Sequence, residues 1–126
     1  MAVSIIEGFQ EEAYLQELFE EKNVPKDNEY LIELLLLLKK YEGNTLQIGY
    51  ESSNFSGVKT LNNYKVVVSD VNGYRACIDI YDGDENDGFF IKYANFEYFK
   101  RIYEKFPQRQ YEIGYRRDES IYLAIC

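Results

Sequence analysis

The chain has 126 residues, a net charge of −8 at pH 7 and no histidine. Its length suits a single domain, residues 1–126, and its excess of acids excludes direct binding to a nucleic-acid backbone, which requires clustered Lys and Arg. The lack of histidine excludes His-based catalytic triads and zinc sites with His ligands.

The first third of the chain predicts a helical hairpin. The motif SIIE at residues 4–7 reads as a capping box, which opens a first helix expected to run to about Lys22. A second helix is expected from Asp27 or Asn28 to just before Gly43. Its segment is apolar almost all round, so we expect it to be buried on most sides.

From Thr45 onward the apolar pattern has a period of two, which predicts strands. A third helix, capped by Asn95 and closed by Pro107, is expected over residues 96–106. Asn72-Gly73 predicts a hairpin turn. The expected strands lie at 45–50, 58–61 (a short edge strand), 64–70, 74–81, 88–93, 110–115 and 121–126.

The order ααβββββαββ predicts an α+β fold, with a mostly antiparallel sheet of five to seven strands. The strand register assigns one face of the sheet to the core. The other face carries both charged and aromatic side chains, so it is either solvated or a binding surface. The core phase holds Val66, Val68, Ala76, Ile78, Ile80, Phe89, Ile91, Ile113, Leu123 and Ile125. The opposite phase holds Lys65, Asp79, Tyr81, Phe90, Lys92, Glu112, Arg116 and Tyr122.

The catalytic motifs that can be recognised in sequence are missing. There is no Gly-x-Ser-x-Gly elbow and no glycine-rich phosphate loop, so only carboxylate chemistry remains. Asp79 is the best placed carboxylate because it lies in the middle of a strand, but a solvent-facing residue of an alternating strand is the simpler interpretation. We therefore expect a protein that is not an enzyme and has no cofactor and no catalytic residue.

The acidic segment YDGDENDGF, residues 81–89, has three interpretations. Asp82, Asp84 and Asn86 match the first ligand positions of an EF-hand calcium loop. Its glycine falls one place late, at Gly88, and Tyr93 stands where the closing glutamate belongs, so no metal site is predicted. The segment also suits a solvated hairpin tip. The third interpretation is a partner-binding surface, with acids at Asp82, Asp84, Glu85 and Asp87 and aromatic anchors at Tyr81, Phe90 and Tyr122.

In size, charge, aromatic content and lack of catalytic residues, the chain resembles small acidic inhibitors made by bacteria and phages. These are immunity proteins, antitoxins and phage proteins that block host defence nucleases. The resemblance rests on no motif, and such proteins share no single fold. It implies a non-enzymatic protein that neutralises a basic toxin or nuclease by occluding its active site, either as an immunity protein or as a phage anti-defence inhibitor.

Two further expectations concern rival functions and cellular context. A module that senses a small anion or a nucleotide through Arg75, Lys92 and Arg116 remains an alternative. The chain lacks a secretory signal and an apolar stretch of the ~20 residues that a membrane span needs, so a cytoplasmic protein without membrane contact is expected. It is expected to be a monomer, or a homodimer joined through the segment YLAIC as an exposed edge strand.

Overall fold

The computed structural model describes residues 5–69, 77–83, 87–91, 96–101, 110–116 and 118–125, of which Arg116 is described by its backbone alone. These residues form an α+β fold with two helices and eight strands, and the predicted fold class is confirmed. The helices are α1 (Glu11–Gln16), which continues as a π-helical turn (Glu17–Glu21), and α2 (Glu29–Lys40). The strands are β1 (Leu46–Glu51), β2 (Ser56–Leu61), β3 (Tyr64–Ser69), β4 (Cys77–Asp82), β5 (Gly88–Ile91), β6 (Tyr98–Arg101), β7 (Tyr111–Arg116) and β8 (Glu119–Ile125).

The first helix begins later than the sequence predicts. Gly8 has a φ of 74°, a left-handed conformation that interrupts a helix and suits glycine. The backbone N–H of Ile6 donates to the carbonyl of Lys40 over 2.9 Å, so this lead-in segment caps the end of α2. Ser4 of the predicted capping box lies outside the described residues, whereas the expected end near Lys22 is correct.

The second helix agrees with the sequence. The side chain of Asn28 accepts a hydrogen bond from the backbone N–H of Leu31, which satisfies one of the free donors at the start of α2. Four leucines of α2 are fully buried, as expected for a helix that is apolar on most sides: Leu31, Leu34, Leu35 and Leu38.

The strands form two antiparallel sheets where the sequence predicted one. The five-stranded sheet has the order β2-β1-β8-β7-β6, and the three-stranded sheet has the order β3-β4-β5. The predicted edge position of β2 is confirmed. β8 lies between β1 and β7, so the expectation that the C-terminal strand is an exposed edge that joins two copies was wrong.

The predicted third helix is also corrected, because Tyr98–Arg101 form strand β6 and pair with β7. The ring of Tyr98 lies across Gly114, where an added Cβ would stand 2.2 Å from the ring, so the aromatic side chain covers a glycine of the neighbouring strand. Its hydroxyl donates to the Glu112 carboxylate over 2.6 Å. These contacts with β7 outweigh the local helical pattern of Phe96 and Phe99; the rest of that pattern lies outside the described residues.

Both sheets and both helices contribute to one hydrophobic core. The predicted core phase of the strands is confirmed wherever it is described, with Phe89 packed against the core and half-buried. Ala76 lies outside the described residues. The buried members of that phase are Val66, Val68, Ile78, Ile80, Ile91, Ile113, Leu123 and Ile125.

Tyr64 predicts how the protein responds to alkaline pH. Its side chain is fully buried and its hydroxyl donates to the carbonyl of Leu38 near the end of α2. Burial, assisted by the Glu42 carboxylate, raises the pKa of Tyr64 far above the ordinary value of 10.0. The unfolded chain therefore releases this proton first. The stabilisation is complete below pH 10 and falls above it, by about 1.4 kcal/mol per pH unit.

Urea unfolding between about pH 8 and about pH 11 measures this loss. Tyr64→Phe should lower the free energy of unfolding near neutral pH, because the Leu38 carbonyl loses its donor, and should also flatten its decline above pH 10. Tyr30→Phe, at an exposed position of α2, is the matched control and should leave the decline unchanged. Equal slopes for all three proteins would contradict the assignment to Tyr64.

Candidate partner-binding surface

The acidic segment is placed differently from the exposed acidic surface that the sequence predicts. Asp82 is only 3% exposed, and its Oδ2 accepts a hydrogen bond of 2.9 Å from the backbone N–H of Asn62. It shares the buried phase of β4 with Ile78 and Ile80, so its side chain points inward. Its assignment to an exposed acid patch is thereby corrected, and the strand alternation already contained the information needed to place it.

Asp82 holds the junction between the two sheets. Residues Asn62 and Asn63 alone connect β2, in the five-stranded sheet, to β3, in the three-stranded sheet. The backbone N–H of Gly83 donates to the carbonyl of Asn63 over 2.7 Å, beside the bond from Asn62 to Asp82. The start of the acidic segment is therefore a structural support for the junction.

Asp87 stays exposed, but a cation partly compensates its charge. Lys59 Nζ lies 2.8 Å from Asp87 Oδ1 and also donates to the carbonyl of Gly88 over 3.0 Å. The hydrogen bond from Lys59, followed by that from the backbone N–H of Gly88, lowers the pKa of Asp87. Asp84 and Glu85, the other two acids assigned to partner binding, lie outside the described residues.

The aromatic anchors Tyr81 and Phe90 lie together on the outer face of the three-stranded sheet. Phe90 is 55% exposed and Tyr81 38% exposed, and Val67 on β3 adds a third apolar side chain at 45%. Pairing across the strands gives the row Val67, Asp79, Phe90, which places the Asp79 carboxylate between two exposed apolar side chains. We call Val67, Asp79, Tyr81 and Phe90 the outer face.

Glycine keeps one side of Tyr81 open on the outer face. Gly88 is the β5 partner of Tyr81, and Lys65 is its β3 partner. A Cβ at Gly88 would lie 2.9 Å from the carbonyl oxygen of Ile80 and 3.3 Å from the Cβ of Tyr81, so the strands approach too closely there for a side chain. No β5 side chain therefore stands directly opposite the ring of Tyr81.

Tyr122, the third predicted anchor, belongs to the other sheet. It lies on β8 opposite Gly49 of β1 and Glu112 of β7 and is half-buried. It borders a shallow groove of about 320 Å³, whose other lining residues are Gln47, Gly49, Tyr50, Glu51, Ser56, Gly57 and Val58. The structure thus brings together two of the three predicted anchors. Val67 was not among the predicted anchors. Its position between the core residues Val66 and Val68 indicates, by strand alternation, that its side chain points outward.

A second group of acids is exposed along α1 and the π-helical turn: Glu11, Glu12, Glu17, Glu20 and Glu21. Lys59 and Asn62, which bond Asp87 and Asp82, belong to β2 and the turn after it. The five glutamates belong to other elements, α1 and the π-helical turn.

The described residues hold no group of three or more Cys, Asp or Glu side chains arranged to bind a metal ion. Within the same ranges, no helix combines the length and apolar character needed to traverse a bilayer. Arg75, Lys92 and the side chain of Arg116, proposed for anion sensing, lie outside the described part. Comparison with known proteins finds no matching family model, no matching curated protein and no matching solved structure.

Proposed function

We propose that this protein is a non-enzymatic inhibitor that binds a basic partner protein, a toxin or a nuclease, and occludes its active site. The observation that carries the proposal is the outer face, where Val67, Tyr81 and Phe90 are exposed around the Asp79 carboxylate. Large apolar side chains exposed together on one sheet face are unusual on a surface that has no partner.

The composition of the outer face suits the centre of a protein interface. A few aromatic residues carry most of the binding free energy in such interfaces, provided that the partner encloses them and excludes water. Tyr81 and Phe90 offer rings of this kind. Asp79 lies among them, so an Arg or Lys of the partner would gain a charged hydrogen bond in a partly desolvated setting.

The charge of the chain defines the kind of partner. The net charge of −8 and the exposed glutamates of α1 repel acidic proteins and attract basic ones over a distance of about one Debye length. Toxins and nucleases that act on nucleic acids present basic active-site clefts, where carboxylates replace phosphates. An immunity protein and a phage anti-defence inhibitor would use the same surface in the same way.

Affinity capture at two salt concentrations tests the proposal. Tagged protein is incubated with lysate of its native host at about 0.05 M and about 0.5 M salt. We expect one basic protein in near-stoichiometric amount at low salt and much less of it at high salt, because the attraction between exposed charges is screened. The captured protein should then lose its catalytic or toxic activity when the inhibitor is added.

A matched pair of variants makes the capture specific to the outer face. Phe90→Ala removes an exposed ring of the outer face, and Tyr30→Ala removes an exposed ring of α2. Only the first should reduce capture. Recovery of the bait alone at both salt concentrations, or equal capture by both variants, would refute the proposed use of the outer face.

A further inference from the structure

Within the part of the chain that the structure describes, the edge strand β2 carries exposed backbone groups that lack a hydrogen-bonding partner. Ser52 N–H donates to the carbonyl of Phe55 and closes the β1–β2 hairpin. In an antiparallel ladder, successive residues point their backbone N–H and C=O alternately toward the neighbouring strand and away from it. Phe55 points toward β1, so every second residue of β2 after it points its backbone groups away from β1. These residues are Ser56, Val58 and Thr60, and the bond from the N–H of Asn62 to Asp82 continues the same series.

These outward groups are accessible. Within the described part of the chain, no hydrogen bond involves the outward N–H or C=O of Ser56, Val58 or Thr60. The side chains of all three are exposed, and Val58 is the most exposed large apolar residue described, at 76%. An exposed edge of this kind is a template for pairing with another strand.

The other sheet edges are protected in part. On β3, the N–H of Tyr64 donates to Asn44, its carbonyl accepts from Gly43, and the N–H of Val66 donates to the Glu42 carboxylate. On β5, Lys59 and the Asp87 side chain bond the backbone groups of Gly88. β6 is short and carries Lys100 and Arg101. Among the described edges, β2 has the longest run of outward backbone groups without a hydrogen bond, and its one cation, Lys59, is held by Asp87.

We propose that β2 pairs with β2 of a second copy of this chain, antiparallel and around a two-fold axis at Val58. In this register Val58 faces Val58 of the second copy, and Ser56 faces Thr60 on both sides of the axis. The outward groups of the three pairs then bond one another, with two hydrogen bonds for each pair. The five-stranded sheets of the two copies become one continuous sheet. This inference does not depend on the proposed function.

The chemistry of β2 favours a second copy as the occupant. The strand contains no acid, although the chain as a whole has a net charge of −8, so self-pairing brings no two carboxylates opposite each other along the strand. The single charged side chain of β2, Lys59, is held by Asp87. The proposed register pairs similar side chains with each other. Val58 faces Val58 at the centre, and Ser56 faces Thr60 on either side, and both β-branched apolar pairs and hydroxyl pairs stabilise sheets.

The interface is small, since it consists of one pair of six-residue strands, so a weak dimer is expected. We expect a dissociation constant on the order of 10 to 100 μM. Because each copy carries the same net charge, higher salt should strengthen the dimer by screening the repulsion between copies. Binding of a basic partner by the outer face should respond to salt in the opposite direction.

Sedimentation equilibrium of the purified protein, from about 5 μM to about 1 mM, tests the proposal. The wild type should pass from monomer to dimer mass. Val58→Asp and Val58→Lys should each shift this transition to at least ~10-fold higher protein concentration, because like charges meet at the two-fold axis. Val58 is exposed, so both variants should keep the wild-type circular dichroism spectrum and thermal midpoint.

Mixing the two charged variants identifies the register. An Asp facing a Lys at the axis should restore a dimer in the equimolar mixture, and only direct pairing of position 58 with itself predicts this rescue. Val58→Thr keeps the β-branched shape and the N–H, and it should dimerise like the wild type. A wild type that stays monomeric to ~1 mM at low and high salt, or charged variants that dimerise as the wild type does, would overturn the proposal.

Discussion

Replacing Phe90 by alanine is expected to weaken binding of the partner protein at least ~30-fold, which corresponds to about 2 kcal/mol. Phe90 is 55% exposed and packs beside Asp79 on the outer face, so its truncation removes interface area without opening a cavity in the core. Tyr81→Ala should have an effect of similar size, because no β5 side chain stands directly opposite its ring and a partner can reach it.

Isothermal titration calorimetry with the captured partner measures these losses, and thermal unfolding checks that each variant folds. Tyr30→Ala and Val58→Thr are controls at exposed positions away from the outer face, and both should bind as the wild type does. Asp79→Asn should cost less than Phe90→Ala and should reduce the salt dependence of the affinity. Affinities within about threefold of wild type for both Phe90→Ala and Tyr81→Ala would exclude the outer face.

Asp82→Ala is expected to lower the free energy of unfolding by about 2 to 3 kcal/mol. The substitution leaves the backbone N–H of Asn62 without its acceptor at the two-residue junction between the sheets. The bond is partly buried and its acceptor is a carboxylate, so it contributes more than an ordinary hydrogen bond between neutral groups. The β-sheets should keep their strands, but the junction should open more easily.

Urea denaturation with matched variants measures this effect. Asp82→Asn retains a side-chain oxygen that can accept from Asn62, so its loss should be clearly smaller than that of Asp82→Ala. Asp87→Ala removes the neighbouring exposed acid of the same segment and should destabilise far less than Asp82→Ala. If Asp82→Ala proves as stable as Asp87→Ala, Asp82 has no structural role at the junction.

Sequence patterns among neighbouring residues correctly predicted the strands and the helix whose burial follows from those patterns. Alternation along β3 and β4 identified Val66, Val68, Ile78 and Ile80 as core residues, because the pleat of a strand turns every second side chain inward. The leucine-rich segment predicted α2, and Asn28 predicted its start. In each case the residues that carry the pattern are near neighbours in the sequence.

The predictions failed where the structure depends on contacts between residues that lie far apart in the sequence. The stripe of Phe96 and Phe99 favours a helix, but Tyr98 packs over Gly114, which no pattern within residues 96–106 reveals. In the same way, Tyr81 and Phe90 were predicted as anchors and lie together, whereas Tyr122 is separated from them by the division into two sheets. Strand order depends on pairings between distant segments, so a single sequence does not contain it in readable form.

The central position of β8 sets an order for folding during synthesis. The strands of the three-stranded sheet are complete by residue 91, and β1 can pair with β2 once residue 61 has emerged from the ribosome. β1 and β7 both pair with β8, so the larger sheet stays divided until residues 119–125 are translated. At about 5 to 20 residues per second, β1 offers an open edge for several seconds. The nascent chain is therefore most exposed to chaperones, or to aggregation, on the side that later becomes the middle of its larger sheet.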